Sequence, residues 1–212
     1  MTPIFITGIG TDIGKTIVSA IITEALQADY WKPVQAGFDD GTDALRIKGL
    51  LSNSFSKIHP ETYKLKMPAS PHIAAREEGE VIRIEKIKSA FSRLQSENPY
   101  LIIEGAGGLM VPINEKEFIV DIIKELNAKV ILVSRNYLGS INHSLLTAAA
   151  CRQYNIEVLG WVFNDQYLDY EEDIVRWTGI PSLGSIPLLH NTDRNAIYLQ
   201  SQKIRTKLLA SI

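Results

Sequence analysis

The chain has 212 residues, a length that suits one α/β domain around one sizeable core. Hydrophobic residues make up 45% and charged residues 22%, and the formal net charge of −2 argues against a protein that wraps nucleic acid or coats an anionic membrane. Cys151 is the only cysteine, so a disulfide framework within the chain and a cysteine metal cluster are excluded, and no apolar run is long enough to span a bilayer.

The opening MTPIFITG has no basic start and runs directly into a strand-like stretch, so no signal peptide is expected and the expected location is cytoplasmic. Ile4-Phe5-Ile6 is a continuous apolar run that reads as a buried strand. A helix is expected from Ile17 to Leu26, with Ile17, Ile21 and Ala25 on one face, and then a short strand over Tyr30 to Lys32. Asp43 begins a helix that ends near Leu51. Residues 52–82 carry Pro60, Pro68 and Pro71 and read as loop with one short helix, which starts at Ser70-Pro71. Ile84 to Leu94 reads as an amphipathic helix. Regular alternation follows: strand over Tyr100 to Ile103, helix over Ile119 to Leu126, strand over Val130 to Val133, helix over Ser140 to Tyr154. Strand over Val158 to Phe163, helix over Asp169 to Thr178, strand over Ser182 to Ile186 and helix over Asn195 to Leu209 complete it. This alternation predicts a mainly parallel sheet with helices on both faces, in one domain covering residues 1–212.

Gly8-Ile9-Gly10-Thr11-Asp12-Ile13-Gly14-Lys15-Thr16 sits between the first strand and the first helix, the context in which a glycine-rich loop binds phosphate. Glycines let successive N–H groups converge on an anion, and the helix N-terminus adds unpaired donors and the positive end of its dipole. Lys15 supplies a charge for the β- and γ-phosphates, and Thr16 supplies a hydroxyl for magnesium. The loop is one residue longer from Gly8 to Gly14 than the common Gly-x4-Gly-Lys-Thr spacing.

In a parallel sheet, ligands gather at the carboxyl ends of the strands. Five further segments end strands on that rim or open helices near it. Glu104 ends a strand just before Gly105-Ala106-Gly107-Gly108, where it can complete a magnesium shell or serve only as a solvated acid beside a tight turn. Lys32 ends the second strand, as a solvated charge or as a stabiliser of a transferring phosphoryl group. Asp43 reads first as a helix-capping acid, with a metal ligand as the alternative, and Asn164-Asp165 reads equally as a turn or as a reader of an adenine edge. The helix start at Leu138-Gly139-Ser140-Ile141-Asn142 can hold a carboxylate or be an ordinary cap. His143 and His190 have no ligand-like partner, and Cys151, after three alanines on a helix, reads as core packing.

Taken in order, several segments resemble the dethiobiotin synthetase family: Thr7 through Thr16, Tyr30-Trp31-Lys32-Pro33-Val34, Thr42-Asp43-Ala44, Ser70-Pro71-His72-Ile73, Glu104 to Gly108, Leu138 to His143, Gly160 to Asp165, and Ile186-Pro187-Leu188. The longer phosphate loop is similar to this family's own form. The resemblance implies an ATP- and Mg2+-dependent ligase that carboxylates and cyclises 7,8-diaminopelargonic acid with carbon dioxide. It implies that Thr16, Asp43 and Glu104 share magnesium, and that Asp12, Ile13, Gly14, Lys15, Thr16 and Ile17 wrap the phosphates. Gly105, Ala106 and Gly107 would border the nucleotide. Asn164, Asp165 and the Pro187-Leu188-Leu189 stretch would contact adenine. Lys32 would be the catalytic lysine, with Thr11 and Lys15 near the diamine and its carbamate. Gly139, Ser140 and Asn142 would bind the substrate carboxylate across a homodimer interface. Ala36 departs from the family, which usually carries serine four residues after the lysine. Partner-driven switch ATPases resemble the loop but carry a further lysine at the position of Gly10, and amide-forming cobyrinate synthases need a glutaminase domain with a reactive cysteine. The expected partners are small molecules and a second copy of the chain, without nucleic acid or membrane.

Overall fold

The computed structural model describes every residue except 166, 167 and 190, so the reading of His190 lies outside the described residues. Seven strands form one sheet in the order β4-β2-β6-β1-β7-β8-β9, with every pairing parallel. They are β1 (Thr2–Gly8), β2 (Asp29–Trp31), β4 (Ile58–His59), β6 (Tyr100–Glu104), β7 (Lys129–Arg135), β8 (Val158–Asn164) and β9 (Ser182–Ile186). A separate parallel pair joins β3 (Val34–Ala36) to β5 (Tyr63–Leu65).

Strand side chains alternate between faces, so each central strand feeds two cores. Ile4, Ile6 and Tyr30 pack with α1 (Lys15–Leu26), α2 (Asp43–Leu50) and α8 (Arg194–Ser211). Phe5 and Trp31 face the opposite core, built with α3 (Pro71–Glu77), α4 (Ile84–Ser92), α5 (Ile119–Glu125), α6 (Ser140–Gln153) and α7 (Glu171–Thr178). The expected α/β architecture with a mainly parallel sheet covered on both faces is therefore observed, and Cys151 lies buried in the second core. No helix among the described residues is long and apolar enough to cross a membrane.

After β1 the chain crosses to β2 on one side, and after β6 it crosses to β7 on the other. The carboxyl end of β1 is thus a point where connections diverge, the place where an open α/β sheet leaves a crevice. Register aligns Trp31 with Ile103 and Ile6 with Glu104. Lys32, one residue past β2, therefore comes level with Glu104 on the neighbouring strand.

Three strands were not expected from sequence, all in or beside the proline-bearing stretch: β3, β4 and β5. β4 pairs with β2 through only two residue pairs, and side chains complete the attachment. Asp29, fully buried at the start of β2, accepts from Lys57 N at 3.0 Å and from Asn98 Nδ2 at 2.5 Å, and its other oxygen meets His59 Nε2 at 2.8 Å. Burial alone raises the Asp29 pKa, but hydrogen bonds from Ser96, Lys57 N–H, Asn98 and His59 outweigh it and hold the carboxyl below its ordinary value. Such a depressed group stabilises the fold above the unfolded-state pKa of about 3.9, and that contribution is lost as pH falls through the folded-state value. Asp29→Asn is expected to lower unfolding free energy by about 2–4 kcal/mol at pH 7. In urea melts, the gap between wild type and variant should narrow as pH falls below about 4; a gap independent of pH would contradict this account.

Candidate active site

The glycine-rich loop leaves β1 at Gly8, where Ile9 N–H bonds Val133 O at 3.1 Å. Asp12 takes a φ of 56° and Gly14 a φ of 87°, so the chain turns left-handed twice before α1 begins at Lys15. No side chain caps that helix, so its first N–H groups stay available to an anion in the loop. Lys15 folds back with Nζ 2.6 Å from Gly10 O. Burial lowers its pKa to about 8, against the upward pull of Glu104.

The far side of the loop is braced from the neighbouring strands. Asn164 at the end of β8 donates from Nδ2 to Ile13 O at 3.0 Å, and a Cβ placed on Gly14 would run into that amide. Arg135 at the end of β7 reaches Asp12 O at 3.4 Å and Asp165 Oδ2 at 3.2 Å. Asn164 was open between a turn and an adenine contact; in the structure its amide supports the phosphate loop.

Beside the loop lies a cleft of about 820 Å³ whose wall includes Thr11, Asp12, Gly14, Lys15, Thr16, Ile17, Lys32, Ala36, Asp43, Glu104, Ala106 and Gly107. At its floor, Thr16 Oγ1 lies 3.0 Å from Asp43 Oδ1 and 2.9 Å from Glu104 Oε1. Lys32 Nζ pairs with Asp43 Oδ2 and sits 3.1 Å from Glu104 Oε1. Glu104 is 1% exposed and Lys32 7%, so neither is the solvated surface charge that sequence allowed. Burial works against the Lys32 ammonium, yet Glu104 and Asp43 together raise its pKa. Burial likewise pushes Asp43 up, and the Lys32 charge brings its pKa below the ordinary value. Thr42 caps α2 by accepting from Leu45 N at 3.3 Å, which leaves Asp43, in the first turn, free to face the cleft.

Two carboxylates and a hydroxyl form a hard-oxygen set, the chemistry that suits Mg2+ sharing its shell with phosphate oxygens and water. Among the described residues no group of three or more His, Cys, Asp or Glu could hold a metal alone. A cation here would therefore draw part of its shell from a ligand such as a triphosphate.

Other expected residues lie elsewhere. Gly105 backs onto β1, where a Cβ would press against the Phe5 ring and its N–H bonds Ile6 O at 3.0 Å. Pro187, Leu188 and Leu189 do not line the cleft, and Leu188 is largely exposed. Gly139, Ser140 and Asn142 do not line it either. Ser140 is buried with its Oγ 2.7 Å from Tyr170 Oη, whereas Asn142 is exposed at the start of α6.

Three contributors escaped the sequence reading. Gln35 accepts from Asp43 N at 3.2 Å and anchors its own amide on Gly37 O at 2.8 Å. Tyr30 donates to Glu104 Oε2 at 2.9 Å. Arg46, one turn along α2 from Asp43, lines the cleft. A polar residue inside the short apolar strand Val-Gln-Ala was the available signal for Gln35; Tyr30 reads only as core.

Gly14→Ala combines a left-handed backbone, costing roughly 1–2 kcal/mol for an L side chain, with collision against Asn164. ATP affinity by titration calorimetry is expected to fall about tenfold or more, with the melting cooperativity preserved; unchanged affinity would mean the loop does not hold phosphate in this conformation.

The model of a family described as an AAA domain matches residues 2–196. A protein of Cytophaga hutchinsonii named ATP-dependent dethiobiotin synthetase BioD is 51% identical over 82% of this chain and 82% of its own length. One with the same name from Christiangramia forsetii is 44% identical over 96% of each chain. Among solved structures, the septum site-determining protein MinD complexed with Mg-ADP from Pyrococcus horikoshii aligns with a TM-score of 0.60, covering 100% of this chain and 98% of its own, at 13% identity. A ParA family ATPase from Chlorobium tepidum aligns at 0.57 and 14% identity, covering 99% of this chain and 91% of its own. At such identities the latter two establish the fold alone. The sequence relatives, at 40% identity and above across most of their length, decide the family: this chain belongs to the ATP-dependent dethiobiotin synthetases.

Proposed function

We propose that the chain is a ligase that couples ATP hydrolysis to ring closure, converting 7,8-diaminopelargonic acid and carbon dioxide to dethiobiotin with release of ADP and phosphate. The observation that supports this most is the Lys32 ammonium held between Asp43 and Glu104 beside the phosphate loop.

The chemistry brings two anions together. One amine of the diamine adds to carbon dioxide and loses a proton, giving a carbamate. A carbamate oxygen attacks the γ-phosphorus as the bond to ADP breaks. The second amine attacks the carbonyl carbon of the resulting carbamic-phosphoric anhydride. Phosphate leaves with the former carbamate oxygen, a proton is lost, and the cyclic urea closes. Lys15 and the first N–H groups of α1 hold the phosphates, and Lys32, with Thr11 nearby, offsets the charge of the carbamate. Thr16, Asp43 and Glu104 would hold Mg2+, which would supply positive charge against the negative charge of the phosphates. Asn164, Asp165 and the Pro187–Leu189 stretch are proposed to border the adenine. Ala36 lines the cleft as a methyl, so a hydroxyl contact at that position would be replaced by backbone N–H or water.

The Gly139–Asn142 helix start is proposed to bind the substrate carboxylate of a second copy in a homodimer, since it stands outside the cleft of its own chain. Leu138, 86% exposed just before α6, and Leu146, 61% exposed on it, are apolar side chains that the partner would cover. The working partners would be small molecules in the cytoplasm, without nucleic acid or membrane.

Protein supplied with ATP, Mg2+, bicarbonate and the diamine should release phosphate and form dethiobiotin. ATP turnover indifferent to the diamine but raised by a protein partner or a surface would sink this reading in favour of a switch ATPase. Lys32→Ala is expected to lower kcat by about 10²–10³-fold while ATP affinity stays within about threefold; near-full kcat would remove Lys32 from the chemistry. Leu146→Glu should shift the protein from dimer to monomer in sedimentation and raise the KM for the diamine more than for ATP; a wild type that sediments as a monomer throughout would overturn the shared site.

A further inference from the structure

We infer that Tyr30 is a positioning residue that fixes which oxygen of Glu104 is presented to the cation. This rests on the proposed role of Glu104 as a magnesium ligand. Tyr30 lies in the middle of β2, paired in register with Ile102, two residues before Glu104 on β6. Its hydroxyl and the ammonium of Lys32, one residue past β2, both reach the Glu104 carboxylate. The ring is fully buried in the core shared with α1 and α2. From there its hydroxyl donates to Glu104 Oε2 at 2.9 Å.

The two Glu104 oxygens are thereby divided. Oε2 is engaged with the phenol from below, while Oε1 alone meets Thr16 and Lys32 on the cleft side. A carboxylate on a single strand end can rotate about its last torsion, and broad torsions of this kind are poorly fixed by packing alone. A hydrogen bond to the rear oxygen removes that freedom, and it supplies a donor to an oxygen that would otherwise be buried without one. Partners of metal-ligating carboxylates commonly act this way, and their loss typically weakens metal binding by about 10–100-fold. Phenylalanine would fill the same space, so packing by itself does not require the hydroxyl.

The test is Mn2+ binding in the presence of ADP, read by electron paramagnetic resonance, for wild type, Tyr30→Phe, Glu104→Gln and the double variant, with apo melting temperatures and ADP affinity in EDTA measured alongside. Tyr30→Phe is expected to weaken Mn2+ binding about tenfold, with ADP affinity in EDTA unchanged. In the Glu104→Gln background the same substitution should add little further loss. Unchanged Mn2+ affinity in Tyr30→Phe, with Glu104→Gln clearly weakened, would overturn the positioning role and leave Glu104 as a ligand. A Tyr30→Phe loss that persists undiminished in the Glu104→Gln background would also overturn it, since the phenol would then act on something other than Glu104. Wild-type affinity in Glu104→Gln would overturn the ligand assignment and the inference with it. If Tyr30→Phe melts too low to assay at room temperature, the same Mn2+ titrations run in the cold, below its melting transition, supply the comparison.

Discussion

Glu104 and Lys32 are buried within 3.1 Å of each other at the carboxyl end of a parallel sheet, with Asp43 and Lys15 alongside. Burial penalises any isolated charge heavily, and the opposite charges gathered there offset that penalty for one another. The arrangement holds because β2 and β6 are neighbours in register, α2 presents Asp43 from its first turn, and α1 presents Thr16 and Lys15 from its own. Each secondary element around the cleft contributes a charge or a hydroxyl that another element needs. The fold and the site are therefore the same constraint: strand order β2-β6-β1 is what brings the lysine, the glutamate and the phosphate loop onto one rim.

The likeness to MinD and ParA ATPases is one of fold, the strand order and helix placement that create such a rim. The Gly10 carbonyl accepts Lys15 Nζ, which holds that ammonium at the loop. A second positive charge comes from Lys32, one residue past β2, in a cleft that Ala36 and Ser70 also line. A cation fixed at a strand end beside the phosphate loop suits the proposed reaction of a triphosphate with a second small anion.

The helices and six of the seven strands of the large sheet were legible as apolar runs alternating with helical spacing, and Glu104 and Lys32 were legible as strand-end charges on the binding rim. β4 was not, because two residues carry no periodicity and its attachment depends on Asp29, whose partners Asn98 and Lys57 are distant in sequence. Tyr30 looked like any aromatic in a buried strand, and only register with β6 reveals that its hydroxyl reaches an acid 74 residues away. Asn164 shows the opposite case: its rim position was evident, but its hydrogen bond to Ile13 O depends on the loop's left-handed turns, which sequence leaves open.

The central claim is that phosphate is transferred to a carbamate oxygen and not to water. The direct measurement is the fate of oxygen from C18O2 during a single turnover with ATP and the diamine, started before label exchanges with solvent. The account predicts that the released phosphate carries one 18O atom derived from carbon dioxide. Phosphate that draws its new oxygen from water, at a rate matching product formation, would contradict it.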